Sequence, residues 1–158
     1  MPKINTTQKP FIPAGFELES HDTSLGEIDV KDIELYLTDE QKGGDIKGTK
    51  LKEKLKGKPV LNVVVLDYLL AHPELIPDEW KSKLVFFFGT IYRFSAGILY
   101  VRYLYWRDGQ WSWSYCWLGI DWDDSCPATV LKSSSNDTLP SELPDELIIN
   151  NVKYKRYD

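Results

Sequence analysis

The sequence predicts an α+β domain, an antiparallel β-meander of three or more strands with one or two helices packed on a face. Two observations carry this. Residues Leu84 to Leu118 hold four of the six tryptophans and alternate in strand fashion around an Asp108-Gly109 turn signal. Before them, Asn62 to His72 shows apolar residues at helical spacing and ends at Pro73.

In chain order, residues 1–29 read as a loosely ordered segment, punctuated by Pro10, Pro13 and Gly15, with Phe11, Ile12 and Phe16 able to pin it to the body. Asp32 to Leu37 alternates and fits a short strand or a short helix equally. Gln41 to Lys58 carries seven lysines. Thr49 as N-cap, Leu51 and Leu55 on one face and Gly57 as a stop predict a helix over Lys50–Lys56. Its lysines read as a solvated face, since no aromatic residue is interleaved as an anion or nucleic-acid site would want. Asn62 caps the main helix, whose Asp67 can turn toward solvent. Pro77 opens a single helical turn, and Trp80 plugs the joint to the sheet.

Three strands follow, over Leu84–Arg93, Ile98–Arg107 and Gln110–Leu118. A type I′ turn at Asp108-Gly109 needs positive φ at both positions, and it fixes the register of the second and third strands. Trp106 then faces Trp111, Leu104 faces Trp113, Arg102 faces Tyr115 and Tyr100 faces Trp117. The turn over Phe94–Gly97 is less determined. A loop of even length places Gly89 beside Arg102, and a three-residue loop flips the faces of the first strand. Both faces of this sheet are apolar, so each needs a cover or is a binding surface. Pro127–Lys132 reads as one more short element. Ser133–Pro144 reads as a linker and Leu147–Tyr157 as an added strand or hairpin, so 30–132 is the domain and 133–158 a C-terminal extension.

Arg102 is the leading site candidate, with Trp113, Tyr115, Trp117 and Tyr100 as stacking walls. A guanidinium amid rings can hold a small anionic ligand, or it can stack internally and pair with a carboxylate of the acidic N-terminal segment. Asp121, Asp123 and Asp124 could serve a metal-assisted hydrolase, but only the Asp-x-Asp start agrees with a calcium loop, and a solvated turn is the plainer reading. His21 and His72 have no metal spacing. No nucleophile elbow, phosphate-binding loop or dinucleotide fingerprint is present, so no cofactor and no catalytic residue is expected. The net charge of −5 speaks against nucleic acid as a partner. The longest apolar run, Val60–Ala71, is too short to span a bilayer, and a cytoplasmic chain is expected. Cys116 and Cys126 make no disulfide framework.

Leu66-Asp67-Tyr68-Leu69-Leu70, Pro73-Glu74-Leu75-Ile76-Pro77, Trp80-Lys81, Gly89-Thr90-Ile91-Tyr92-Arg93, Leu99-Tyr100-Val101-Arg102 and Trp113-Ser114-Tyr115-Cys116-Trp117-Leu118 resemble a group of short uncharacterised bacterial proteins over Ile33–Lys132. The resemblance implies a bacterial cytosolic protein, compact over that span. It carries no activity to any residue. The residues themselves point to a non-enzymatic binding or protein-interaction module with an aromatic sheet surface, meeting a small anionic ligand, a peptide or a protein. The alternatives are the hydrolase and a self-associating homo-oligomer.

Overall fold

The computed structural model describes residues 2–132, and within them an α+β fold built on one split sheet. In chain order the elements are β1 (Lys3–Asn5), β2 (Glu17–His21), β3 (Glu27–Asp29), β4 (Ile33–Tyr36), α1 (Asp39–Gly43), β5 (Ile46–Lys47), α2 (Gly48–Lys54), α3 (Val63–Ala71), β6 (Val85–Phe86), β7 (Thr90–Arg93), β8 (Leu99–Arg107), β9 (Gln110–Trp117), β10 (Asp121–Trp122) and β11 (Ala128–Leu131). The expected element over Leu147–Tyr157 lies outside the described residues.

The β8–β9 hairpin has the register read from the sequence. All eight pairs run from Arg107 opposite Gln110 to Tyr100 opposite Trp117. Asp108 and Gly109 both take positive φ, 54° and 76°, as the tight turn demands. The rest of the sheet is not a simple meander. The other edge of β8 is shared, its start pairing with β7 and its later part with β6. Beyond β7 lies antiparallel β2, and beyond β6 lie parallel β11 and then antiparallel β4. The result is a mixed seven-stranded sheet that divides at Phe87–Gly89 into two wings.

The single first strand expected over Leu84–Arg93 is therefore two strands, for two local reasons. Ser95–Gly97 makes a three-residue turn, with Ala96 and Gly97 at φ 65° and 75° and the Phe94 N–H donating to Ile98 O. This odd loop flips the faces of β7, so Tyr92, not Ile91, joins the Arg102 side. Chain from Val60 to Asn62 then fills the gap between the wings. Leu61 N–H donates to Thr129 O on one side, and Leu61 O accepts from Gly89 N–H on the other. A Cβ on Gly89 would lie 2.7 Å from Leu61 and Asn62 backbone atoms. The space above Gly89 thus holds backbone, not a ligand beside Arg102.

Each face of the sheet has its own cover. On the Arg102 side, α3 brings Val63, Val65, Leu66 and Leu69 against Val85, Phe87, Tyr92 and Leu104, and Trp80 plugs the joint as expected. On the other side, Leu51 of α2 and Leu55 at its C-cap, with Ile46 and Trp122, pack on Phe86, Phe88, Ile91 and Val101. Trp122, read as part of a solvated aspartate turn, is fully buried there, its ring 4.0 Å from that of Phe86. The helix expected over Lys50–Lys56 begins earlier, at Gly48 after Lys47, so Thr49 lies inside its first turn and does not cap it; only glycine fits at its first position, since a Gly48 Cβ would stand 2.5 Å from Leu118 O.

Within residues 2–29, β1, β2 and β3 form and side chains tie the segment to the body. Asn62 caps α3 by accepting from Val64 N–H, and its Nδ2 donates to Thr6 O and Asp22 O. His21 is held by Thr90 Oγ1 at Nδ1 and by Gln8 O at Nε2. Gln8 O can only accept, so Nε2 carries the proton. Thr90 then donates to Nδ1 while accepting from Val63 N–H. The Tyr92 hydroxyl donates to Phe11 O at 2.6 Å. Short polar side chains in a punctuated segment signal turns locally, and these long-range partners cannot be read from them.

Candidate functional site

The residues around Arg102 are brought together by β8, β9, α3 and the N-terminal segment. The hairpin sets Tyr100, Arg102, Trp113, Tyr115 and Trp117 on one face. Arg102 is 1% exposed. Its Nη1 donates to Asp67 Oδ2 at 3.1 Å and its Nη2 to Asp67 Oδ1 at 2.9 Å. The guanidinium stacks 3.9 Å from the Trp113 ring centre, with Phe11 on it at 5.2 Å. Burial pushes the nearby Tyr92 phenol above its usual range, partly offset by the Arg102 cation.

Arg102 thus spends Nη1 and Nη2 on a side chain of this chain rather than offering them to a small anionic ligand. The internal alternative describes it, with Asp67 of α3 rather than an N-terminal acid as the partner. A buried cation needs such a carboxylate, and one turn of helix across the sheet supplies it. Asp67 keeps 40% of its side chain in contact with solvent. It borders a groove of about 540 Å³ between α3 and the N-terminal segment, shared with Lys3, Lys9, Phe11 and Tyr68.

The other four candidates differ in exposure. Trp113 is half-buried under Phe11. Tyr100 is half-buried among Phe16, Phe94 and Tyr115, with centroid distances of 5.3, 6.4 and 5.4 Å. Tyr115 and Trp117 are 44% and 48% exposed. Phe94, Ile98, Phe11 and Ile12 are exposed around them. Phe16 ties the group together, 4.9 Å from Tyr115 and 5.0 Å from Phe94. The outcome is an aromatic platform of Phe16, Phe94, Tyr100 and Tyr115 at the Tyr100/Trp117 end of the hairpin, with Trp117 exposed beside it and its ring lying over Gly119. The sequence reading found its centre but missed Phe94 and Ile98, whose turn geometry it left open.

The aspartate cluster does not converge. Asp123 accepts from Ser125 N–H and Oγ–H, which holds its carboxyl below the usual carboxylate range. Asp121 lies on β10, paired with Lys47 of β5. Among the described residues no three or more His, Cys, Asp or Glu side chains come together in a way that could hold a metal ion. Lys52 of α2, with Lys56 and Lys58 just after it, borders a cleft of about 330 Å³ with His21 and Phe88. They sit at the C-terminal end of that helix, where cations complement its dipole and an anion would not.

Of the three strand edges of the main sheet among the described residues, that of β9 is the longest and carries no charge. β9 pairs only with β8, and its outer backbone groups have no backbone partner among the described residues. Cys116 on this strand and Cys126 nearby are free and half-buried, and burial pushes both thiols up. No helix among the described residues is long and apolar enough to cross a membrane. Comparison of the chain with protein-family models, with curated proteins and with solved structures found no match.

Proposed function

We propose that this chain is a non-enzymatic binding module whose aromatic platform meets a peptide or a protein partner. The observation that carries the reading is the platform itself: Phe94 and Tyr115 stand exposed and joined through Phe16 and Tyr100, with Trp117 exposed opposite Tyr100 on the next strand, beside a strand edge that has no partner among the described residues. With Phe11, four half-exposed rings offer roughly 400 Å² of apolar surface, within the range of the largest patch on a typical monomer, which often has a role. Tyr and Trp on a stiff hairpin lose little entropy on contact, and such residues dominate interface energies.

Among the partner classes expected from the sequence, a small anion is the weakest fit, since Asp67 already neutralises Arg102. A backbone carrying apolar side chains suits rings set next to free N–H and C=O groups. A cytoplasmic location agrees with two free thiols, which an oxidising compartment would tend to pair.

Selection of random displayed peptides on the immobilised chain tests the proposal. Extended, apolar-alternating peptides should be enriched, and Tyr115→Ala or Trp117→Ala should weaken them at least about tenfold, a loss of 1.4 kcal/mol or more. Lys52→Ala should not. Enrichment indifferent to Tyr115 and Trp117 would refute the reading.

A further inference from the structure

The three strand edges of the split sheet are guarded unequally. β2 carries Glu17 and Glu19, both paired with Arg93. β4 is four residues long and carries Glu34. β9 is eight residues long, Gln110-Trp-Ser-Trp-Ser-Tyr-Cys-Trp117, with no charge and no proline. Proteins that must keep an edge free blunt it with just those devices, and here they are missing.

The geometry points to a second copy of this chain as the occupant: we propose that β9 pairs antiparallel with β9 of another molecule across a two-fold axis at Ser114. This deepens the interaction reading above and rests on it. The register follows from the strand. Residues directly opposite in an antiparallel pair share a face, so aromatic must meet aromatic. With Ser114 opposite its own copy, Trp113 faces Tyr115, Trp111 faces Trp117 and Ser112 faces Cys116, and every residue from Trp111 to Trp117 is paired. A slip by one sets tryptophan against serine or cysteine and breaks the ring surface. A slip by two leaves an end ring without a partner.

Charge permits this occupant and area sizes the contact. Two copies of a chain with net charge −5 repel at a distance, and β9 brings no like charges together where they meet. An edge about 27 Å long, with Tyr115 and Trp117 44% and 48% exposed along it, makes a contact smaller than the roughly 800 Å² per partner of a standard interface, in the range of weak, reversible pairs. Such an isologous contact closes on itself and uses up the edge.

Sedimentation of the full chain from about 1 to about 300 μM, a range bracketing a micromolar dissociation constant, should show the mass rising from one chain to two. Ser114→Lys, with its circular dichroism and melting temperature checked, should weaken dimerisation at least about tenfold. Ser114→Cys should cross-link to itself on oxidation, because opposed Cα atoms in an antiparallel pair fall within disulfide range. The unmodified chain, with Cys116 facing Ser112, should not. A single-chain mass throughout overturns the proposal, as does a dimer that Ser114→Lys leaves intact or that Ser114→Cys fails to link. Slow hydrogen exchange along the outer edge of β9 in a monomer also overturns it, and would give that edge to another segment of the chain, such as Leu147–Tyr157. A monomer that still selects peptides through Tyr115 and Trp117 sinks the self-pairing alone and leaves the interaction reading standing.

Discussion

Asp67 on α3 and Arg102 on β8 close on each other through two parallel hydrogen bonds of 3.1 and 2.9 Å, the arginine buried and the aspartate half in solvent. This pair locks the main helix over the middle of the sheet, and the stacked Trp113 ring completes the enclosure. Removing Asp67 strands a buried cation. Asp67→Ala should cost about 3 kcal/mol, read as a lowered urea midpoint. Asp67→Leu with Arg102→Met should cost clearly less than the sum of the single changes. Additive losses would show that the two groups do not act together.

Gly89 should tolerate no side chain. Its Cβ would strike backbone atoms of Leu61 and Asn62 at 2.7 Å, and backbone cannot swing aside. Gly89→Ala should destabilise by about 1–3 kcal/mol or more, whereas Gly43→Ala, which meets nothing within 4 Å, should be near neutral. Comparison of thermal midpoints checks both, and equal shifts would count against the threaded seam.

Asn62 ties the N-terminal segment to α3 through two bonds to Thr6 and Asp22 and the cap it accepts from Val64. Asn62→Ala should cost about 2 kcal/mol or more, from the lost cap and the carbonyls of Thr6 and Asp22 left without their donor. Hydrogen exchange should quicken first at residues 2–29. Uniform acceleration across the chain would mean the anchor is not local.

The platform and the core should respond differently. Tyr115→Ala and Trp117→Ala remove exposed rings and should lower stability by about 1 kcal/mol or less. Phe86→Ala and Trp122→Ala open a buried cluster and should cost about 3–5 kcal/mol. A large loss at Trp117 would identify it as structural rather than available.

Stability should fall at both ends of the pH scale. Burial raises the Cys116, Cys126 and Tyr92 values in the folded chain. The unfolded chain therefore releases protons first above about pH 8.5, and stability declines from there upward. Hydrogen bonds lower the Asp29, Glu40 and Asp123 values, so what these carboxylates add is present above about pH 4 and is lost as pH falls below it. Urea unfolding across pH 3–10 should trace this plateau, and thiol alkylation at pH 8 should be slow in the native chain. A stability still climbing above pH 9 would contradict the buried thiols.

How far the sequence discloses the structure depends on where each partner lies. Asp108-Gly109 dictates its own backbone, so the facing residues of β8 and β9 follow from two letters. Asn62, Pro73 and the apolar stripe between them are equally local, and α3 begins and ends where they indicate. The faces of β7 turn on whether Ser95–Gly97 counts as two, three or four loop residues, and no residue type there decides it. The Asp67 partner of Arg102 lies 35 positions away in chain. Spacing rules carry no information about which carboxylate meets a buried cation. The exposed rings of the platform were visible as residue types, and their exposure depended on how much of the sheet Phe11 and Phe16 would cover.

The joint between the two wings has a consequence for chain length. Leu61 and Asn62 fit there through main-chain atoms, so side-chain identity at Leu61 matters less at that joint than the count of residues leading into it. One residue added between Gly57 and Asn62 would carry Asn62 past Thr6 and Asp22 and draw the wings out of step, while one added at Ser95–Gly97 would only lengthen a surface turn. Natural variants of this chain should vary in length at the second place and hold it constant at the first.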